Sequence, residues 1–206
     1  MNNHIGIIDY GLSNLACVNS AVNFLGFKTR LIKKPDDFRN VSKIILPGVG
    51  AFGDAMDNLS QRNLLDELNE NIIEKEKYFL GICLGAQLIC RKSEEFGVTK
   101  GLGWIDADVK KIHSKNENLR IPHSGWNNIE LLKKNILFKE IPSDSLFYFT
   151  HSFGIFNNDR STVIGECNHG ETFSVALNYK NIFGVQFHPE KSQKMGLTLL
   201  KNFLRL

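Results

Sequence analysis

The sequence predicts an α/β domain with a mostly parallel central sheet, helices on both faces and antiparallel strands added in the C-terminal half. Two observations predict this class. In the first half of the chain, short apolar runs alternate with longer segments of helical periodicity, as in β-α-β units. In the second half, short strand-like runs separated by turn residues dominate. The 206 residues are 42% hydrophobic and 23% charged, a globular composition, and we expect one domain over residues 1–206.

Four strands are predicted in the first half, at residues 4–8, 27–32, 43–46 and 78–82. Helices are predicted at residues 13–25, 54–59, 63–75 and 84–91. The first helix carries apolar residues at helical spacing and is followed by Gly26, a residue type that commonly ends helices. Strands that are joined through helices pair in parallel, so this half predicts a parallel sheet.

Strands are predicted to dominate the second half. The strand-like runs occupy residues 104–112, 128–131, 146–150, 162–167, 173–178 and 182–187. A helix at residues 193–204 closes the chain. Because turns rather than helices separate most of these runs, we expect them to extend the sheet with antiparallel strands.

Charge and hydrophobicity argue against several classes of protein. The formal net charge of +3 is too small and too evenly spread to favour a nucleic-acid partner. The most apolar stretch, residues 78–90, is too short to span a bilayer. The N-terminal residues lack the basic and apolar segments of a secretory signal. We therefore expect a cytoplasmic protein with neither a nucleic-acid nor a membrane partner.

The four cysteines are few and irregularly spaced, and no Cys-x-x-Cys occurs. Neither a disulfide framework nor a metal site is therefore expected. Cys17, on the apolar side of its predicted helix, and Cys90 are interpreted as buried packing residues. His113 and His169 lie in polar turns and are expected to be solvated.

Residues 48–53 match the dinucleotide-binding pattern G-x-G-x-x-G. That pattern should end a first strand and be followed by an acidic residue that closes the next strand. Here it follows the third predicted strand, and the next strand ends in Gly81-Ile-Cys83. We therefore expect no nucleotide cofactor. Pro47-Gly-Val-Gly50 is better interpreted as a loop whose backbone N–H groups can face an oxyanion.

Gly81-Ile-Cys83-Leu-Gly85 lies between an apolar strand and an apolar helix, where α/β hydrolases carry G-x-S-x-G. A tight strand-to-helix turn crowds its neighbours, so small residues flank a nucleophile there. At the start of the helix, the helix dipole favours a thiolate. A buried cysteine in a glycine-containing turn is the alternative, and this motif alone does not decide between the two.

A cysteine nucleophile needs a base, and His188 is the strongest candidate. It follows an apolar strand, so it should lie at the same sheet edge as Cys83. Glu190 is two residues further on and would point to the same side of an extended backbone. The carboxylate could then hold the imidazole as the third member of a triad.

Three segments together resemble the class I (triad) glutamine amidotransferases: Pro47-Gly-Val-Gly50, Gly81-Ile-Cys-Leu-Gly-Ala-Gln87 and His188-Pro-Glu190. Further segments are similar to the family of glutaminase subunits of imidazole glycerol phosphate synthase: Asp9-Tyr-Gly-Leu-Ser-Asn14-Leu, Pro122-His-Ser-Gly-Trp-Asn127, Tyr148-Phe-Thr-His-Ser152-Phe and Gln186-Phe-His-Pro-Glu-Lys-Ser192. The resemblance covers essentially the whole chain. It implies the three-layer class I glutamine amidotransferase fold.

The resemblance implies a role for each matching residue. Cys83 would attack the side-chain amide of glutamine, His188 would move the proton and Glu190 would orient His188. Oxyanion donors would come from Val49, Gly50 and Leu84. The glutamine-binding residues would be Gly48, Gln87, Thr150, His151, Ser152 and Phe153. Residues near a partner interface would be Asn14, Pro122, Ser124, Trp126 and Tyr148.

The resemblance also implies a heterodimer. In this family, ammonia passes to a (β/α)₈-barrel synthase, which makes imidazole glycerol phosphate and AICAR in histidine biosynthesis. One oxyanion donor depends there on a loop conformation that the partner sets. The resemblance implies no metal and no cofactor.

The chain departs from the family's common residues at Ser13, Ala86, Ser124 and Phe153. Because Ala86 and Ser124 lie beside the nucleophile and in the interface motif, they leave the ammonia acceptor open. A paralogous glutaminase subunit that supplies ammonia for amidination of a surface-polysaccharide or glycan sugar is one alternative. A stand-alone Cys-His-Glu hydrolase and a non-catalytic regulatory subunit are the others, and the complete set of triad residues disfavours the regulatory one.

Overall fold

Fourteen strands and five α-helices form the described part of the chain, residues 4–114 and 119–206 of a computed structural model. The prediction that a secretory signal is absent includes residues 1–3, which lie outside the described part of the chain. The strands are β1 His4–Ile8, β2 Thr29–Ile32, β3 Val41–Gly48, β4 Tyr78–Cys83, β5 Cys90–Ser93, β6 Thr99–Lys100, β7 Ile105–Lys111, β8 His123–Asn128, β9 Glu130–Leu131, β10 Leu146–His151, β11 Phe153–Asn157, β12 Val163–Asn168, β13 Thr172–Tyr179 and β14 Ile182–Val185. The helices are α1 Leu15–Phe24, α2 Phe52–Gln61, α3 Leu65–Asn69, α4 Leu84–Leu88 and α5 Gln193–Leu204.

The main sheet has a parallel half and a largely antiparallel half. Its order is β2-β1-β3-β4-β14-β13-β11-β7-β5-β6, and β12 and β9 join it beside β13. The neighbouring strands from β2 to β14 pair in parallel, whereas β13 pairs antiparallel with both β14 and β11. Strands β8 and β10 form a separate antiparallel pair. The predicted combination of a parallel sheet and added antiparallel strands is confirmed.

Helices cover both faces of the sheet and give the fold three layers. One core cluster joins alternate residues of β1, such as Ile5 and Ile7, to α1 and α5. The other cluster contains Ile8 from the same strand together with residues of α2 and α3. Because successive side chains of a strand point to opposite faces, one strand can contribute to both clusters. Within the described residues, no helix is long and apolar enough to cross a membrane.

Several of the predictions differ from the structure. The helix predicted at residues 84–91 ends at Leu88, because Cys90–Ser93 pairs with β7 as a strand. Pairing in the sheet overrides the local helical preference there. The polar segment His123–Asn128 is strand β8, although only residues 128–131 were predicted as extended. Cys17 is exposed rather than buried, which corrects its assignment as a packing residue.

Candidate active site

Strand β4 ends at Cys83, and α4 begins at the next residue. Cys83 has a φ of 53° and a ψ of −110°, a backbone conformation that residues other than glycine rarely adopt. Backbone strain of this kind persists only where the surrounding structure holds it, and it is common at functional turns. The strained residue is the one that the sequence singles out as the nucleophile.

The turn at Cys83 depends on the absence of side chains on its flanking glycines. A Cβ on Gly85 would lie 1.8 Å from the carbonyl oxygen of Leu46, and one on Gly81 would lie 2.5 Å from the carbonyl oxygen of Gly85. Both clashes are with backbone atoms, which cannot move aside as a flexible side chain can. Glycine is therefore required at both positions for β4 and α4 to approach so closely.

Strand β14 brings His188 to the edge of the sheet that carries Cys83. Gly184 pairs with Gly81 in the parallel ladder between β14 and β4, so both chain segments leave the sheet at the same edge. His188 is buried, and its backbone N–H donates a hydrogen bond to the carbonyl oxygen of Tyr148 at 2.9 Å. The structure thus brings the predicted nucleophile and the predicted base together.

Glu190 contacts the other side of the imidazole ring. Its Oε1 accepts a hydrogen bond from His188 Nδ1 at 2.8 Å, and each of the two side chains is only 2% exposed. Residues Pro189–Lys191 form a 3₁₀ turn, not the extended backbone from which this contact was predicted. The two side chains meet as expected, but the turn is what brings them together.

The pKa of His188 is raised from 6.5 to about 10. Burial opposes this rise because it disfavours the charged ring, but the interactions with Cys83 and with Glu190 outweigh it. The ring's Nε2 is buried and has no hydrogen-bond partner of ordinary geometry among the described residues. The Glu190 carboxylate therefore stabilises the protonated imidazole as its counter-charge.

A cavity of about 310 Å³ opens beside the Cys83 side chain. The residues that line it are Val49, Gly50, Cys83, Leu84, Gln87, Glu95, Thr150, His151, Ser152 and Phe153. All but Glu95 were predicted from the sequence as site residues. The predicted residue Gly48 lies behind the cavity instead, where a Cβ would be 2.2 Å from the hydroxyl oxygen of Tyr10. The cavity volume suits a small, amino-acid-sized ligand.

Three polar residues at this site were not predicted from the sequence as site residues. Glu95 lines the cavity, and its Oε2 accepts a hydrogen bond from the Phe52 N–H at 2.8 Å. The hydroxyl of Tyr10 is buried and has no hydrogen-bond partner in the part of the chain that the structure describes, and burial, together with Cys83, raises the pKa of this group. Gln186, fully buried, approaches Cys83 directly. Tyr10 and Gln186 lie in segments that resemble the family but were given no role there, and Gln186 is also a polar residue within an apolar strand-like run.

The loop at residues 47–50 does not have all of its N–H groups free. The Val49 N–H donates a hydrogen bond to the carbonyl oxygen of Leu12 at 2.9 Å. In this conformation Val49 therefore cannot donate to an oxyanion at Cys83, contrary to the role that the resemblance implies. Gly50 has a φ of +104°, a conformation that favours glycine.

Two buried histidines lie at the cavity wall: His151 lines the cavity, and His123 contacts His151. His151 Nδ1 lies 2.8 Å from the carbonyl oxygen of Phe153, which can only accept, so this nitrogen carries the proton. His151 Nε2 then accepts from His123 Nδ1 at 3.1 Å, and His123 Nε2 accepts from the Asn127 amide at 3.2 Å. Burial is the main cause that lowers the pKa of His123 to about 3 and that of His151 to about 4. His169 stacks on His123 with ring centroids 4.2 Å apart, so it is not the freely solvated residue expected from the sequence.

The residues predicted near a partner interface lie mainly on the β8–β10 pair. Pro122, Ser124 and Trp126 alternate along the chain and are all exposed. Trp126 pairs with Tyr148 across the strands, and their ring centroids are 6.0 Å apart. Trp126 is 44% exposed and lies in strand β8. Asn14, the remaining predicted interface residue, caps α1 elsewhere on the chain.

A metal site is not evident in the described residues, because no group of three or more His, Cys, Asp or Glu side chains there could hold an ion. The reactive groups beside the small cavity are the sulfur of Cys83, the imidazole of His188 and the carboxylate of Glu190. Such a set can carry out acyl transfer, in which the thiolate attacks a carbonyl carbon and the imidazole protonates the leaving group.

Comparison with known proteins agrees with this geometry. The family model described as glutamine amidotransferase class-I matches residues 6–206. The imidazole glycerol phosphate synthase subunit HisH 2 of Vibrio vulnificus is 43% identical, over 97% of this chain and 93% of its own length. The subunit HisH of Moorella thermoacetica is 42% identical, over 97% of this chain and 93% of its own length.

Solved structures share the fold at much lower identity. The structure of PurLQS from Thermotoga maritima aligns with a TM-score of 0.77 at 18% identity, covering 100% of this chain and 99% of that one. A crystal structure of a glutamine amidotransferase aligns with a TM-score of 0.74 at 18% identity, covering 98% of this chain and 97% of that one. At such low identity, these structures support the three-layer fold and nothing further.

Proposed function

This chain belongs to the class-I glutamine amidotransferase family, and on that premise we propose that it hydrolyses glutamine to supply ammonia to imidazole glycerol phosphate synthase. The observation that carries the proposal is the strained, buried Cys83 at a sheet edge shared with the hydrogen-bonded pair His188 and Glu190. The named relatives support the assignment to that synthase, since they are described as its subunits.

The proposed reaction begins with the proton of the Cys83 thiol on His188. The thiolate attacks the carbonyl carbon of the glutamine side chain and forms a tetrahedral oxyanion. When the C–N bond breaks, His188 gives its proton to the leaving nitrogen, and ammonia and a glutamyl thioester result. Water then attacks the thioester with His188 as the base, which releases glutamate and restores the thiol. Glu190 stabilises the imidazolium throughout by its hydrogen bond to Nδ1.

The oxyanion would be held by backbone N–H groups. Leu84 is the first residue of α4, so its N–H has no partner within the helix. A second donor would come from Gly48-Val49-Gly50, and the Val49 N–H is bonded to Leu12 in this structure. Docking of the partner would release that bond. On this proposal, the chain alone has an incomplete oxyanion hole and low activity.

Glutamine would occupy the cavity beside Cys83. The segment Thr150–Phe153 and Gln87 line the cavity and would bind the α-amino and α-carboxylate groups together with the side-chain amide. Gly48 would support the wall from behind. Glu95 lines the same cavity and offers a carboxylate to the α-ammonium group.

The partner in this proposal is a (β/α)₈-barrel synthase subunit that forms a heterodimer with this chain. An aromatic pair, the exposed Trp126 and the half-buried Tyr148, with Pro122 and Ser124 beside it, gives the β8–β10 face the composition of an interface. Ammonia would pass unprotonated into the barrel, which would form imidazole glycerol phosphate and AICAR in histidine biosynthesis. We place the pair in the cytoplasm, where free thiols such as the four here persist.

One alternative acceptor follows from the relatives themselves. The relative from Vibrio vulnificus carries the number 2 in its name, which implies more than one such subunit in that organism. On this alternative, the chain is a paralogous glutaminase subunit that supplies ammonia for amidination of a surface-polysaccharide or glycan sugar through a different barrel. The glutaminase chemistry would be unchanged.

Reconstitution with a barrel subunit tests the proposal. Glutamate release should rise strongly when the barrel is added, and imidazole glycerol phosphate should form with glutamine as the nitrogen source. Cys83→Ala should abolish glutamate release while the barrel still works with added ammonium salt. High glutaminase activity of the isolated chain, unchanged by the barrel, would contradict the gated oxyanion hole. Binding without any turnover would favour the regulatory subunit instead.

A further inference from the structure

Gln186 is a fully buried glutamine in the segment between β14 and His188. Its side-chain nitrogen Nε2 lies 3.7 Å from the sulfur of Cys83, within reach of an N–H to sulfur hydrogen bond. A neutral polar side chain is costly to bury unless it is hydrogen-bonded. Gln186 has no role in the reaction or in the binding of glutamine as proposed above.

The orientation of the Gln186 amide is fixed by a chain of hydrogen bonds. The carbonyl oxygen of Phe153 can only accept, so the group that faces it at 3.0 Å must be the NH₂ of Gln87. That same nitrogen lies 3.0 Å from Gln186 Oε1, which therefore accepts. The NH₂ of Gln186 is consequently left to face Cys83. Reversal of this amide would set a donor against a donor and an oxygen against the sulfur.

We infer that Gln186 is a further catalytic residue, whose side-chain N–H stabilises the Cys83 thiolate by a direct hydrogen bond. His188 supplies a positive charge, and Gln186 adds a donor inside the protein, where water cannot replace it. A hydrogen bond to the ionised form of a group favours that form. The inference rests on Cys83 as the nucleophile of the proposed function, but the hydrogen bond itself needs no substrate.

Gln87 and Gln186 also join the substrate cavity to the nucleophile. The carbonyl of Phe153 accepts from Gln87 and faces His151 Nδ1, so it is held on two sides. Gln87 in turn holds the Gln186 amide with its donor towards the sulfur. The amide is therefore oriented before substrate arrives, which is what preorganised stabilisation of a charge requires.

The test compares Gln186→Met with the unchanged chain in the alkylation of Cys83 by iodoacetamide. Methionine has a similar volume but no N–H donor. The rate of Cys83 alkylation is followed against pH by peptide mass spectrometry, and the exposed Cys17 is an internal reference for reagent reactivity. Gln61→Met is the matched control, because it makes the same exchange at an exposed glutamine in α2.

We expect the pH midpoint of Cys83 alkylation to rise by about one unit in Gln186→Met, with about tenfold slower alkylation near neutral pH. Cys17 and the Gln61→Met control should be unchanged. A Gln186→Met protein that has the same folded circular dichroism signal and the same Cys83 midpoint as the unchanged chain would overturn the inference.

A measurement on the natural sequence covers the case in which Gln186→Met does not fold. With glutamine side chains labelled with ¹⁵N, the Gln186 amide resonance should move with the pH midpoint of Cys83 alkylation and should lose that transition in Cys83→Ala. A Gln186 resonance that is indifferent to pH would refute the hydrogen bond. Both readouts are independent of glutamine hydrolysis. A shifted midpoint of Cys83 alkylation in Gln186→Met, with no glutaminase activity in the unchanged chain, would refute only the proposed function. Normal glutaminase activity with an unshifted midpoint would refute only this inference.

Discussion

Replacement of Glu190 by Gln is the perturbation whose effect can be worked out most fully. The exchange is nearly isosteric, but it removes a negative charge that is hydrogen-bonded to His188, in a place where each side chain is 2% exposed. Breaking a buried ion pair costs about 3–5 kcal/mol. If about 3 kcal/mol of this is lost from the transition state, kcat falls by about 10²-fold. A glutamine NH₂ would also replace Oε2, which has no hydrogen-bond partner among the described residues.

The assay is glutamate release by the reconstituted pair, at saturating glutamine and across pH. The pKa of His188, raised to about 10 by Cys83 and Glu190 against the effect of burial, should fall in Glu190→Gln because one of its two supports is gone. The contribution of His188 to stability is present below its unfolded pKa of about 6.5 and is lost as the pH rises through about 10. Loss of stability with rising pH should therefore be shallower in the variant.

The matched control is Glu70→Gln, which removes a carboxylate from an exposed pair with Lys75. Exposed pairs contribute little, so kcat should stay within about twofold of the unchanged chain. If Glu190→Gln also stayed within about twofold, with an unchanged pH profile, the assignment of Glu190 as the residue that orients and stabilises His188 would be refuted.

Three further outcomes follow from the structure. Gly85→Ala should destabilise the chain by about 3 kcal/mol and lower the melting temperature by about 6–12 °C, because the new Cβ would lie 1.8 Å from a backbone oxygen. Gly53→Ala is the control: its new Cβ would have its nearest contact at 3.6 Å, so stability should change by less than about 1 kcal/mol. The pKa is about 3 for His123 and about 4 for His151, so the unfolded chain takes up protons at these residues before the folded chain does. The free energy of unfolding, measured with urea, should therefore fall by about 1.4 kcal/mol per histidine and pH unit as the pH falls from 6.5. Trp126→Ala, at a side chain 44% exposed, should weaken calorimetric binding of the barrel by about 2 kcal/mol, or about 30-fold in Kd, without lowering the melting temperature.

Each of these outcomes can be contradicted. Equal melting temperatures for Gly85→Ala and Gly53→Ala would show that the turn at Cys83 tolerates a side chain. Stability independent of pH between 6.5 and 4 would mean that the two buried histidines can take up protons in the folded chain. Barrel binding that is unaffected by Trp126→Ala would move the proposed interface away from the β8–β10 face.

The parallel half of the fold could be predicted because its strands are buried on both faces. Such strands appear as apolar runs, and the helices between them show their own periodicity. Strand β8 carries no such signal: its exposed side chains face outward, and its pairing with β10 depends on residues far away in the chain. The shortened α4 has the same cause, since Cys90–Ser93 is held as a strand by β7.

The candidate site divides in a similar way. Cys83, His188 and Glu190 could be found because local motifs and strand ends identify them, although the 3₁₀ turn that carries Glu190 was not foreseen. Glu95 could not be found, because it lies in a polar segment and reaches the cavity only through the tertiary fold. The bond from the Val49 N–H to Leu12 joins two loops, and no local pattern predicts it.

The central claim is that Cys83 carries the glutamyl group during glutamine hydrolysis. Its most direct test is an acid quench of the reconstituted pair during turnover of isotope-labelled glutamine, followed by peptide mapping. We expect a labelled glutamyl thioester on the peptide that contains Cys83 and none in Cys83→Ala. A labelled intermediate on another residue, or glutamate release that persists in Cys83→Ala, would contradict it.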